Sequence, residues 1–178
     1  MSNLFFYETD LGIIGIRDNN NAITEVFYSK SKINDHLKET PLIRECFNQL
    51  KEYFQGTRRE FTIPIEAEGS EFQKKVWKAL LDIPYGQTRT YKEIAIAIGN
   101  EKACRAVGMA NNRNPISIKI PCHRVIGADG SMTGYAGGIE LKKRLLIHES
   151  VMEKKGQKWY SIGIRSQAYA AENTRKMR

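Results

Sequence analysis

TYKEIAIAIGNEKACRAVGMANNRNP, residues 90–115, decides the fold. Thr90 followed by Glu93 is a capping box that opens a helix over YKEIAIAI, and Gly99 ends it as a left-handed C′ residue. Asn100 offers the cap of a second helix through EKACRAVGMANN. Asn114-Pro115 stops that helix, because the residue before a proline is steered out of the helical region. Two short helices joined at Gly99-Asn100 outline a helix-turn-helix, although any αα-hairpin shares the outline.

The second helix is rich in small residues: Ala103, Ala106, Gly108 and Ala110, with Arg105 as its one long charged side chain before Arg113. A base-reading helix in the major groove offers several Arg, Asn or Gln side chains. This composition suits close approach to a minor groove, where sequence information is poor. Close packing on a neighbouring helix explains the small residues equally.

Upstream, Ser70 with Gln73 repeats the capping-box pattern ahead of a helix whose apolar stripe is Phe72, Val76, Ala79 and Leu80. Before Gly69 the character changes. FFYETDLGIIGIRDNNNAITEVFYS reads as two β-rich runs with a turn at residues 18–21. Leu42, Ile43, Cys46, Phe47, Leu50, Tyr53 and Phe54 then recur at helical spacing over about 37–54, which makes Cys46 a buried small hydrophobe. These patterns predict an N-terminal domain over 1–68, a mainly helical domain over 69–150 and an extension over 151–178.

Charge follows the same division. Residues 1–68 hold 8 Lys/Arg against 11 Asp/Glu, a net −3, while the remainder holds 20 against 9, a net +11. A basic second half fits a polyanion such as nucleic acid, though solvated lysine faces are common. No apolar run reaches the roughly 18 residues of a membrane span, and MSNLFFYETD lacks the pattern of a secretory signal. A cytoplasmic protein with no membrane contact is expected. Cysteines 46, 104 and 122 are odd in number and widely spaced, with no CxxC pair and no histidine pairing of ligand type. Neither a disulfide framework nor a metal site is expected.

KIPCHRVIG, residues 119–127, sets Cys122 against His123. A thiol is a nucleophile as thiolate, and an ordinary cysteine is mostly protonated at neutral pH, so a nearby base is needed. His123 is the candidate, and Glu149 can orient its imidazole. Adjacent residues in extended chain point to opposite sides, so one bridging water suits Cys122 and His123 better than a direct bond. A plain helix-turn-helix regulator and a cysteine hydrolase remain rival readings.

RAVGMANNRNPISIKIPCHRVIGADGSMTGYAGGIELKKRLLIHE, residues 105–149, resembles the active-site region of the O6-alkylguanine-DNA alkyltransferases. PCHRV, the upstream RAVG and NP, the downstream GYAGG and the final HE stand in family order, and the similarity runs back through TYKEIA and FQKKVW to about Ser70. The resemblance implies an α+β fold, a ribonuclease H-like N-terminal domain of antiparallel strands followed by a winged helix-turn-helix domain. It implies irreversible, single-turnover transfer of an alkyl group from flipped O6-methylguanine to Cys122, through a cysteine–water–His123–Glu149 relay. Asn114 would tie the turn before the cysteine loop, and Tyr91 would help protonate the leaving guanine. Tyr135 would be the wall on which the base stacks, with backbone groups near Val125 and Ala136 reading its edge. Gly134, Gly137 and Gly138 would leave room around the pocket. Arg105 would fill the gap in double-stranded DNA, with Ala103, Ala106, Asn100 and Ser70 along the sequence-independent minor-groove contact. No cofactor and no metal are implied, and a monomer is expected. O4-methylthymine stands open as a second substrate. The extension, with Trp159 and Tyr160 amid basic residues, is expected to pack in its first part and fray at its end.

Overall fold

A computed structural model describes residues 1–31 and 37–149 of the 178-residue chain. The expectation for the extension therefore lies outside the described residues. Three antiparallel strands open the fold in the order β1 (Asn3–Thr9), β2 (Gly12–Asp18) and β3 (Ile23–Ser29). The sequence pattern predicts two β-rich runs here. The first is a hairpin, turned at residues 9–12 by the Thr9 hydroxyl, which binds Leu11 N–H and the Gly12 carbonyl, with Gly12 at φ +100°. Gly15 is required on β2, since a Cβ there would lie 2.5 Å from the Phe27 ring that crosses it.

α1 (Pro41–Gln55) covers this sheet and starts later than the periodicity suggests. Thr40 fixes the start: its hydroxyl accepts from Ile43 N–H, and Pro41 is well placed in the first turn. Gly56, at φ +77°, ends the helix in the left-handed region. The buried stripe is Ile43, Cys46, Leu50, Tyr53 and Phe54, as the spacing predicts.

The second half is helical: α2 (Glu71–Leu81), α3 (Tyr91–Ala97), α4 (Cys104–Asn112) and α5 (Ile139–His148). Both predicted capping boxes form, Ser70 with Gln73 and Thr90 with Glu93. Gly99 takes φ +82° after α3. Asn100 does not cap α4. Its carbonyl accepts from Ala103 N–H at 3.0 Å, so residues 100–103 form the inter-helix turn and α4 begins at Cys104 without a side-chain cap. The wing is brief: β4 (Arg89–Thr90) runs parallel to β5 (Val125–Ile126).

Trp77 on α2 donates its indole N–H to the Ala110 carbonyl at 2.8 Å and so fixes α2 against α4. One apolar core runs through both halves, from Ile14 and Leu50 to Val76, Val107 and Leu145. Backbone bonds cross between the halves as well, with Val26 N–H to Pro115 O at 2.9 Å and Ser117 N–H to Val26 O at 3.0 Å. The loop that carries Cys122 is thereby braced from both sides.

Candidate active site

Cys122, His123 and Arg124 occupy a single 3-10 turn just ahead of β5. The sequence suggests extended chain here; the turn replaces it because Pro121 and the Cys122 N–H bond to the Ile120 carbonyl (2.8 Å) bend the backbone. Asn114 holds the preceding loop from within, donating to Ile120 O at 2.7 Å and accepting from Ile116 N–H at 2.9 Å. Within that loop buried Ile118 sits at φ +72°, a left-handed conformation that costs a β-branched residue about 1–3 kcal/mol and persists only where the surroundings impose it. Asn111 on α4 adds a bond to the Cys122 carbonyl at 3.2 Å.

Two of the three groups expected to form a relay meet directly. His123 is fully buried, and its Nε2 lies 2.7 Å from Glu149 Oε1. Glu149 follows α5 directly, which brings it 26 residues back to the cysteine turn. Burial alone would raise its carboxyl, yet His123 and Arg124 hold it well below the usual carboxylate range. The carboxylate is therefore ionised, and Nε2 of a neutral His123 must carry the proton. That tautomer leaves Nδ1 with a lone pair, and Nδ1 is buried with no protein partner among the described residues. Burial lowers the imidazole below its ordinary value, Glu149 opposing.

Cys122 is 3 % exposed. Burial pushes its thiol up to about 11, although Asn114 and the charge of Lys142 both pull it down. At rest Cys122 is thus a thiol and His123 a neutral imidazole.

Tyr91, at the first turn of α3, donates to the Thr133 carbonyl at 2.9 Å. The same carbonyl accepts from Lys142 Nζ at 3.2 Å. Tyr135 is buried, with its hydroxyl 2.9 Å from that of Tyr28 on β3. Tyr28, Tyr91, Tyr135 and Lys142 all interact electrostatically with Cys122. Val125 is buried and its N–H donates to the Cys122 carbonyl, while Ala136 is exposed. Of the three glycines, Gly137 alone makes room: a Cβ there would lie 2.5 Å from Leu141 and 2.9 Å from the Tyr28 ring. Gly134 and Gly138 instead supply positive φ, +65° and +91°.

The DNA-facing candidates lie apart from this cluster. Arg105 and Ala106 are exposed on α4, with Ala103 at its start and Asn100 in the turn before it. Ala106 shares a shallow recess of about 180 Å³ with Ser70, Phe72, Met109 and Arg113.

Four residues of the site escape the sequence reading: Tyr53, Arg124, Lys142 and Tyr28. Arg124 donates to both Glu149 oxygens, at 2.8 and 3.0 Å, and to the Ile83 carbonyl at 2.7 Å. Lys142 is fully buried, which lowers its amine to about 8. A signal for Lys142 existed. With Leu145, Leu146 and Glu149 it falls on one stripe of α5 at spacings i, i+3, i+4 and i+7, where a lysine needs a partner.

Comparison with known proteins agrees with this geometry. Residues 71–151 match the family model for the DNA binding domain of 6-O-methylguanine DNA methyltransferase, and residues 5–67 match its ribonuclease-like domain. A methylated-DNA–protein-cysteine methyltransferase of Methanosarcina barkeri is 49% identical over 144 residues, covering 78% of this chain and 91% of its own. The constitutive enzyme of Bacillus subtilis is 46% identical over 156 residues, covering 83% and 94%. Among solved structures, Mycobacterium tuberculosis O6-methylguanine methyltransferase superposes with a TM-score of 0.77 at 38% identity, covering 88% of this chain and 97% of that one. The M. tuberculosis protein in complex with DNA gives 0.73 at 42% identity, covering 83% and 91%.

Proposed function

The chain belongs to the 6-O-methylguanine DNA methyltransferase family, with that family's DNA-repair alkyltransferase activity, and from this premise we propose how its own residues perform the transfer. Cys122 is the acceptor and His123 its base. The observation that carries the reading is the pair next to the cysteine in the chain: Glu149 ionised, Nε2 of His123 committed to it at 2.7 Å, and Nδ1 left as a buried lone pair with no partner among the described residues.

A water between Sγ and Nδ1 passes the thiol proton to His123 as the sulfur attacks the alkyl carbon. The S–C bond forms, the C–O6 bond breaks, and the purine takes up the electron pair and a proton. Tyr91 supplies that proton, its hydroxyl leaving the Thr133 carbonyl to do so, and regains one from water as the His123 imidazolium gives its own back to water. Glu149 balances the imidazolium, and Arg124 holds that carboxylate in place. The product is a neutral thioether. No resolving thiol lies near Cys122 in the sequence, and thiol exchange cannot break a C–S–C bond, so each molecule reacts once and needs no cofactor.

The target base must leave the stack, because O6 cannot be reached inside a pair. Tyr135 and the edge near Val125 and Ala136 receive it, and Arg105 fills the gap. Ala103, Ala106, Asn100 and Ser70 lie along the minor groove of double-stranded DNA without reading its sequence. The protein works as a monomer in the reducing cytoplasm, which keeps Cys122 free. No helix among the described residues is long and apolar enough to cross a membrane. We place the domain boundary at residues 68–69 and treat 151–178 as an extension.

The test is incubation with duplex DNA containing O6-methylguanine, then mass spectrometry of the Cys122 peptide. One added methyl, about 14 Da, gained once per molecule supports the reading. Bound DNA with unmodified peptide, or a product released many times per protein, overturns it. The same assay with O4-methylthymine decides whether the pocket takes a pyrimidine.

A further inference from the structure

Tyr53, near the end of α1, is fully buried and reaches from the N-terminal domain into the relay. It donates its hydroxyl to Glu149 Oε1 at 2.6 Å. The same oxygen receives His123 Nε2 at 2.7 Å and Arg124 Nη2 at 3.0 Å, while Oε2 takes Arg124 Nε at 2.8 Å and Gly86 N–H at 3.4 Å. Three donors converge on Oε1, more than the roughly two lone pairs a carboxylate oxygen offers. Tyr53 and His123 therefore share one acceptor.

The phenol is held in place for this. Phe61, Tyr85 and Phe54 surround its ring at 5.6–6.1 Å between centroids. His148 packs edge-on at 5.0 Å and its Nε2 lies 2.6 Å from the Tyr53 backbone carbonyl. Such over-determination is what a positioned donor requires.

We propose that Tyr53 is a positioning residue of the transfer relay: its hydroxyl sets how strongly Glu149 draws on the His123 imidazole, so the N-terminal domain takes part in activating Cys122. The inference rests on His123 acting as the base for Cys122. A hydroxyl bonded to a carboxylate draws charge from it, and the imidazole on the same oxygen becomes a weaker base. The charged and titratable groups around the pair are fixed by geometry. His123 interacts with Glu149, Arg124 and Lys142; Tyr53 interacts with Glu149, Arg124, Tyr85, Tyr135 and His148. Replacing Tyr53 by Phe changes neither net charge nor ring packing, and it leaves Oε1 to His123 and Arg124.

The experiment uses the full chain. In Tyr53→Phe, the His123 imidazole, followed by NMR against pH without DNA, is expected to titrate higher than in the wild type by roughly half to one pH unit. The acid limb of single-turnover methyl transfer moves up by the same amount, because the neutral imidazole is the base. A merely structural role slows transfer or lowers the melting temperature at every pH and leaves both midpoints in place; that result overturns the proposal. Incorporation of 3-fluorotyrosine at position 53 covers the case in which the phenylalanine variant does not fold. It keeps the ring, strengthens the donor and is expected to lower the His123 midpoint; a rise, or no change, overturns the proposal. The NMR titration is independent of alkyl transfer, so a wild type that methylates nothing refutes the functional reading while leaving the Tyr53–His123 coupling to be read separately.

Discussion

Around Glu149, Tyr53, His123 and Arg124 come from α1 and the cysteine turn, all buried and all bonded to its carboxylate at the end of α5, whereas on α4 Arg105, Ala106 and Met109, with Arg113 at its end, stand exposed on a helix of small residues. The two regions answer to different demands. A proton relay works when its atoms are held within a fraction of an ångström, and every extra hydrogen bond to Glu149 narrows the geometry. On the proposed reading α4 meets DNA without reading its sequence, and short side chains with few long cations serve such a face better than a set of polar probes. Stability and chemistry are thus concentrated at the relay, and tolerance at the helix.

The largest break in that contrast comes from Glu149→Ala. It leaves buried Arg124 without its carboxylate counter-charge and removes the acceptor of Tyr53 and His123, so a loss of about 3–5 kcal/mol in unfolding free energy is expected by urea denaturation. A loss below about 1 kcal/mol would mean the relay is not a structural unit. The pH dependence has a definite sign. Glu149 is held below the usual carboxylate range, so its contribution is present above the unfolded value and disappears as pH falls through the folded one. His123 is buried neutral with a lowered value, and the unfolded chain takes up its proton first, which again favours unfolding in acid. Wild-type stability should therefore decline from about pH 6.5 downward, and Glu149→Gln should flatten the lower part of that decline.

Legibility in the sequence follows the same division. Where a local rule decides, the pattern is readable: Ser70 with Gln73, Thr90 with Glu93 and Gly99 after α3 place the helices because caps involve residues only three or four apart. Cys122, His123 and Glu149 are readable as chemistry because thiol, imidazole and carboxylate together have few other uses. Tyr53 was not, since it falls on the apolar stripe of α1 and nothing local separates a core tyrosine from one whose hydroxyl reaches residue 149. Arg124 was not, since adjacency to His123 does not say that a 3-10 turn directs both at one carboxylate. The missing hairpin at residues 9–12 has a simpler cause: Asp10-Leu11 is a weak turn signal, and the Thr9 side chain supplies what the turn lacks.

Arg105→Ala sharpens the contrast from the other side. The exposed guanidinium makes no contribution to the core, so folding should be unchanged, while transfer from duplex DNA should slow by about tenfold to a hundredfold through the lost filling of the stack, roughly 1–3 kcal/mol. Transfer from the free methylated base, which needs no extrusion, should keep its wild-type rate. Equal losses on both substrates would place Arg105 in the chemistry and erase the distinction.

The smallest effect is expected on α2, which touches both regions without belonging to either. Its Trp77 fixes α4 through the Ala110 carbonyl, and its N-terminus depends on the Ser70 hydroxyl accepting from Gln73 N–H at 3.2 Å. Ser70→Ala removes that acceptor and should cost about 1 kcal/mol, a fall of roughly 2–4 °C in melting temperature for a chain of this size. Ser70→Gly leaves the end open to water and should cost a few tenths of that. Should alanine and glycine weaken DNA binding alike while the melting temperature holds, Ser70 serves the groove rather than the helix. A ranked loss in stability, with alanine the worse, ties the recognition surface to the scaffold through a single cap.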